Sequence, residues 1–259
     1  MQINLISLSC KQSLSECGFK GYNLSKSHRS DVKVPQGFIC GKSFCNKLLE
    51  INENMMEIIF NEEFLKWINN IQGLVAIRSS AIISSSKANL VSGLFTTVRR
   101  IAPNKEDIIK AMLKVLNQSR IKNNNLPLKT NYMKFRKISI ALIIQKEVDC
   151  VISGVIHSKS VDDPNCIDIW FKSGDLAPLM SGYEQGHHVR IPKHSTSLDE
   201  IWCSIETLDF GHMIGFWSII RDLIEVMSKL ETLFNNDSLL IEWGRDTKEI
   251  NILQVQDFI

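Results

Sequence analysis

The chain has 259 residues, 44% hydrophobic and 22% charged, with a formal net charge of +2. That is enough apolar material for one sizeable core or two smaller lobes. It is too little net charge to draw the chain to nucleic acid or an anionic membrane, so neither is an expected partner.

The start, Met-Gln-Ile-Asn-Leu, lacks a basic region followed by an apolar core, and no apolar run is long enough to span a bilayer. The seven cysteines are an odd number with no Cys-x-x-Cys pair, which points to a reduced, cytoplasmic protein and away from a zinc site. Residues 1–16 carry one short apolar run. Cys17-Gly18-Phe-Lys20-Gly21 follows, a Gly-flanked lysine just before a short helix. Lys20 could reach a phosphate as a point charge, or the segment is simply a turn. Val34-Pro35-Gln-Gly37 reads as a turn into an apolar segment, and residues 42–72 as helical on the spacing of Leu48, Leu49, Met55, Ile58, Ile59, Phe64, Leu65 and Ile68.

Gly73 ends that helix and an apolar strand delivers Arg78 into a Ser-rich turn, Ser79-Ser80-Ala81. With Gly93 and Thr97 downstream, a fixed guanidinium, several hydroxyls and a glycine are the groups that hold a polyphosphate. The bland alternative is a buried strand ending in one exposed arginine. Val91–Arg99 reads as a second strand or ordered loop, and Arg99-Arg100 as a solvated pair. Asn104 is the expected cap of a helix over 105–117, and the polar, Pro-containing 118–132 marks a lobe boundary.

The second half is richer in strands: 138–145, 151–157, 167–171 and 187–191, with 174–182 as a loop. His187 and His188 are adjacent in a strand, so they face opposite ways and suit a structural role better than a metal. Residues 208–234 carry the longest helical pattern. A hairpin closes the chain, Leu239–Trp243 against Ile250–Gln256. Glu242 interrupts one of its strands and Gln254 sits in the other. A carboxylate facing an amide oxygen suits a Mg²⁺ ion that serves substrate phosphates; equally, both side chains could lie in solvent on an edge hairpin.

Taken together these stretches resemble the nucleotide-binding domain of the phosphoenolpyruvate synthase and pyruvate phosphate dikinase family. Gly18-Phe-Lys20-Gly21-Tyr-Asn-Leu is similar to Gly-Gly-Lys-Gly-Ala-Asn-Leu, and Val34-Pro-Gln-Gly-Phe to Val-Pro-Pro-Gly-Phe. Val75-Ala-Ile-Arg-Ser-Ser-Ala is similar to Val-Ala-Val-Arg-Ser-Ser-Ala, and Ser92-Gly93 with Thr97 to Ala-Gly-x-x-x-Thr. Ile144-Gln145-Lys-Glu-Val with Ser153-Gly154-Val155, and Ile241-Glu242-Trp243 with Leu253-Gln254, complete the order.

The resemblance implies an α+β ATP-grasp fold of two lobes, 1–125 and 126–259, with ATP in the cleft between them. It implies Lys20 and Arg78 at the phosphates as the catalytic cations, Gly93 and Thr97 on the loop over the triphosphate, and Gln145 beside the adenine. Glu242 and Gln254 would face Mg²⁺ and the nucleotide. It further implies phosphoryl transfer to a small-molecule acceptor or to a separate phosphohistidine or acceptor-domain protein, the chain being a stand-alone or truncated homologue. Three departures favour the alternative of a catalytically degenerate nucleotide-binding protein. Gln256 replaces the family's Leu-Gln-x-Arg arginine, Leu240 replaces an acidic residue, and Ala177 stands where Gly-Leu-Gly-Glu has its glutamate.

Overall fold

A computed structural model describes residues 2–50, 58–82, 96–124, 138–193, 202–203 and 210–258. The chain divides into two compact units, residues 1–29 with 35–147, and residues 30–34 with 148–259. Both mix helix and sheet, so the class is α+β, as the sequence leads one to expect.

The first unit opens with short strands β1 (Gln2–Ile3) and β2 (Ile6–Ser7) and helix α1 (Leu14–His28). Strand β3 (Gly37–Cys40), helix α2 (Lys42–Glu50), strand β4 (Ile59–Phe60) and helix α3 (Glu62–Asn70) follow. Then come β5 (Val75–Ile82), β6 (Thr97–Ile101), α4 (Lys105–Asn124) and β7 (Ser139–Lys146). An antiparallel sheet runs β2-β3-β7-β5-β6, and β1 pairs with β4 in parallel beside it. β7 is buried from Ile140 to Gln145, because a central strand is covered on both faces and reads as a continuous apolar run. One face of the sheet, with Val75, Ile77, Leu142 and Ile144, forms the main core together with Phe64 of α3 and Ile108 and Met112 of α4. The other face receives α1.

Three expectations are corrected here. The single helix over 42–72 is two helices with β4 between them: Ile58, Ile59 and Phe60 are a short apolar run that fits either period. The helix expected over 105–117 continues through 118–124, so the proposed boundary segment begins inside α4. Arg78 does not deliver into a turn either, because β5 runs on through Ser79 and Ser80 to Ile82.

The second unit holds β8 (Ile152–His157), β9 (Cys166–Ser173), a short helix α5 (Ala177–Met180) and β10 (His187–Pro192). β11 (Trp202–Cys203), helix α6 (Phe210–Phe234), β12 (Leu239–Arg245) and β13 (Ile250–Asp257) complete it. The antiparallel order is β11-β10-β9-β8-β12-β13. Phe216, Ile220, Leu223, Met227 and Leu230 form the buried stripe of α6, and Phe216 stacks on Phe171 of β9 with centroids 3.9 Å apart. The 174–182 segment expected as a loop contains α5, with Pro178 in its first turn where a missing N–H costs nothing. Among the described residues no helix is long and apolar enough to cross a membrane.

Candidate functional site

The site residues expected from the sequence fall on both units. In the first, strand register decides which side chains share a face. Arg78 pairs with Thr97 across β5–β6 and with Ile143 across β5–β7, while Ala76 pairs with Gln145. Directly opposed residues of antiparallel strands point the same way, as do alternate residues of one strand. Arg78, Thr97 and Gln145 therefore share one face of the sheet, together with Ser80. This is the face that receives α1, the helix carrying Lys20. Thr97 is exposed, Lys20 and Arg78 are half-buried, and Gln145 is buried.

Close packing of α1 depends on its glycines. Gly18 has φ 68° and ψ 173°, an extended left-handed conformation that kinks the helix, and Lys20 lies in the turn after the kink. The Gly-flanked turn of the sequence reading is thus a helix with a break in it. A Cβ on Gly18 would sit 2.5 Å from both the Ala81 carbonyl oxygen and Ser80 Oγ. The Gly21 N–H, freed near the break, donates to Ser80 Oγ at 3.1 Å. Ser79 Oγ donates to the Thr96 carbonyl at 3.1 Å. The two serines of the motif are therefore engaged by the protein's own backbone. Of the Arg-Ser-Ser group, the arginine is the polar side chain whose chemistry suits an anion.

Gln145 has a structural partner too, as its Nε2 donates to the Pro35 carbonyl at 3.0 Å. Gly37 lies opposite it, and a Cβ there would come 2.5 Å from the Ile144 carbonyl oxygen. The Val-Pro-Gln-Gly and Gln145 motifs are one packed junction. Gly93 lies outside the described residues.

In the second unit Glu242 pairs directly with Gln254 across β12–β13. Both are buried, at 9% and 3% exposure, so the solvated-hairpin alternative does not describe them. Gln254 Nε2 donates to Gln256 Oε1 at 2.6 Å. Gln256 accepts this bond through its side-chain carbonyl oxygen. Glu242 and Gln254 fit a Mg²⁺ ion in kind: a carboxylate and an amide side by side on one sheet face, with the remaining ligands left to substrate oxygens and water. Among the described residues there is no cluster of three or more His, Cys, Asp or Glu side chains to hold a metal by protein groups alone.

The register extends this face across the sheet. Glu242 opposes Val155, Val155 opposes Trp170, and Trp170 opposes His188. Trp170 stacks on His188 with centroids 4.6 Å apart and an interplanar angle of 13°. His157 lies 4.5 Å from Trp170 and 3.9 Å from Phe258, ring centre to ring centre. Asp168 is buried at 2% exposure beneath them. It accepts from Arg190 Nε at 2.7 Å and Nη2 at 3.1 Å, and its Oδ1 lies 2.8 Å from His188 Nε2. Burial pushes this carboxyl's pKa up, but the hydrogen bonds from Arg190, Ser160 and His188 outweigh it and hold it below the ordinary value. Burial lowers His157 to about 4, so its ring is neutral near pH 7. Strand alternation alone could have placed these polar residues on one face, but their partnership depends on β9–β10 register, which the sequence does not display. His187 packs instead against Phe171, on the opposite face from His188.

No protein-family profile and no curated protein sequence matches the chain. Solved structures similar to it include phosphoribosylglycinamide synthetase from Anaerococcus prevotii, at 9% identity and a TM-score of 0.38, over 90% of this chain and 41% of that one. PH1788 from Pyrococcus horikoshii Ot3 matches at 10% identity and a TM-score of 0.50, over 94% of this chain and 91% of that one. L-amino acid ligase from Bacillus licheniformis matches at 11% identity and a TM-score of 0.33, over 76% of this chain and 41% of that one. The chain thus spans 41% of the length of the synthetase and of the ligase. The likeness to PH1788 is one of fold alone, and the two lower scores carry no further weight.

Proposed function

We propose that the chain is an ATP-grasp nucleotide-binding domain that binds Mg·ATP and passes a phosphoryl group to a small-molecule acceptor or a partner protein. The observation that carries this reading is the gathering of Arg78, Thr97 and Gln145 on the sheet face that receives α1 and its Lys20. These are the residues that the family motifs single out, and they are distant in sequence. Phosphoryl transfer asks a protein mostly for positioning and charge neutralisation, which cations on a rigid strand and helix supply in kind. Glu242 and Gln254 are the side chains that would hold Mg²⁺, which would neutralise phosphate charge when bound. The likeness to PH1788 is one of fold and does not choose the acceptor. Incubation with labelled ATP, Mg²⁺ and a metabolite pool tests the reading: label transfer to an acceptor supports it, and absence of ATP consumption with every acceptor and candidate partner overturns it.

A second reading, a nucleotide-binding protein without catalysis, is favoured by one observation. The Gln254 amide is engaged by Gln256, where the family places a phosphate-directed arginine. Calorimetry with a non-hydrolysable ATP analogue separates the two: tight binding that ignores Mg²⁺, without turnover, supports the second. No nucleotide binding at all removes both.

A further inference from the structure

Between β6 and α4 lies a trough of about 310 Å³, on the sheet face opposite Arg78 and α1. Val98, Ile101 and Ala111 line it with apolar surface, and Arg100, Lys110, Lys114 and one carboxylate, Asp107, line it too, so its basic side chains outnumber its acidic one. Among the described residues β6 is the edge strand of its sheet, and no other described strand closes that side of the trough.

The arginine is set there by an irregularity in the sheet. Val75 pairs with Ile101 and Ile77 with Val98, so two residues of β6, Arg99 and Arg100, face the single residue Ala76. This is a β-bulge, and Arg100 occupies its left-handed position at φ 57°, where glycine is the unstrained choice. The bulge is clamped by Glu147, whose Oε1 pairs with Arg99 Nη2 at 2.9 Å and whose Oε2 accepts from the Arg100 backbone N–H at 2.6 Å. Glu147 thereby answers the charge of Arg99 and the backbone of Arg100, but not the Arg100 guanidinium. Lys110 is paired with Glu106 one turn earlier in α4. Among the described residues no carboxylate pairs with the side chain of Arg100 or Lys114. A bulge is a device that re-aims a side chain, and strain at a bulky residue is tolerated where its side chain has work.

We propose that this trough binds a small phosphomonoester, its phosphate between Arg100 and Lys114 and its carbon skeleton on Val98, Ile101 and Ala111. A concavity of this size suits a compact ligand, and the lysine and arginine stems extend its apolar wall while their charged ends meet the anion. The proposal does not depend on the nucleotide reading. Because the trough and the Arg78 face lie on opposite sides of one sheet, both can be filled together.

The test is calorimetric titration of the intact chain with glycerol 3-phosphate at near-physiological salt, with glycerol as the uncharged control. Saturable binding of the phosphomonoester and none of glycerol is expected, unchanged by a saturating non-hydrolysable ATP analogue. Arg100→Gly removes the guanidinium while suiting the left-handed backbone, so it should fold at least as stably as the wild type and bind at least ~10-fold more weakly, the loss of one charge-assisted contact. Lys114→Met, which keeps most of the stem, should also weaken binding. The absence of saturable binding to the wild type, displacement by the ATP analogue, or wild-type affinity in folded Arg100→Gly would each overturn the proposal.

Discussion

Arg78 and Lys20 differ in how firmly the fold holds them, and that difference is measurable. Arg78 lies mid-strand in β5, flanked by paired β6 and β7, whereas Lys20 sits in a helix just past a glycine break. A fixed guanidinium can make two charge-assisted hydrogen bonds to a phosphate; a lysine makes a more mobile point contact. Loss of a charge-assisted bond costs about 1.5–3 kcal/mol, or roughly one to two decades in affinity. Arg78→Ala is therefore expected to weaken ATP binding more than Lys20→Ala, with adenosine binding much less affected and Arg78→Lys rescuing only in part. Titrations of ATP and adenosine against each folded variant check this, and ATP binding by Arg78→Ala at wild-type strength would return the residue to a structural role. Glu242 carries a separate expectation. Glu242→Gln keeps the size and removes the charge, so it should diminish the Mg²⁺-dependent part of ATP binding while the Mg²⁺-independent part stays. An equal loss with and without the metal would argue that Glu242 touches the nucleotide or supports the fold instead.

At the scale of elements, the junction of α1 with β5 sets the geometry of the first unit's candidate site. Gly18→Ala forces a side chain into a backbone region that only glycine occupies readily, at a cost of about 1–3 kcal/mol, and drives its Cβ against the Ala81 carbonyl. Chemical denaturation should show that loss or more, with nucleotide affinity falling in whatever fraction still folds. A variant as stable as the wild type would mean that the kink relaxes freely. The same junction marks the limit of what the sequence discloses. Asn104 as the cap of α4 was legible, because capping is local: its Oδ1 accepts from the Asp107 N–H at 2.9 Å. So was the closing hairpin, whose alternation and polar turn are continuous in the chain. The division of 42–72 was not, since an apolar run at 58–60 carries no period of its own. Nor was the role of Ser79 and Ser80, read as phosphate hydroxyls when their partners are backbone groups at Thr96 and Gly21. Register across distant strands decides such partnerships, and a motif read in one dimension shows the residue types without their neighbours.

For the molecule as a whole, the cluster on the second unit's sheet ties stability to pH. His157 takes a proton at about 4 in the folded chain against an ordinary 6.5, first because burial disfavours its charged form. Its Nδ1 is buried with no hydrogen-bond partner among the described residues, which adds to the reluctance of the ring to ionise. Between those two pH values the unfolded chain binds more protons than the folded one, so stability climbs as pH rises through this window and drains away on descent. Asp168 acts lower on the scale. Its folded pKa is depressed, so its contribution is complete above the unfolded value of 3.8 and is lost only as pH falls further. The two groups therefore draw on separate windows. His157→Phe keeps an aromatic ring between Trp170 and Phe258 but carries no ionisable nitrogen. Denaturation followed in steps from neutral pH down to about 4 should show the wild type losing stability across the His157 window and the variant staying flatter, with both falling together once the carboxylates protonate. Identical slopes for the two proteins would mean that His157 titrates alike in the folded and the unfolded chain, and that the descent belongs to other groups.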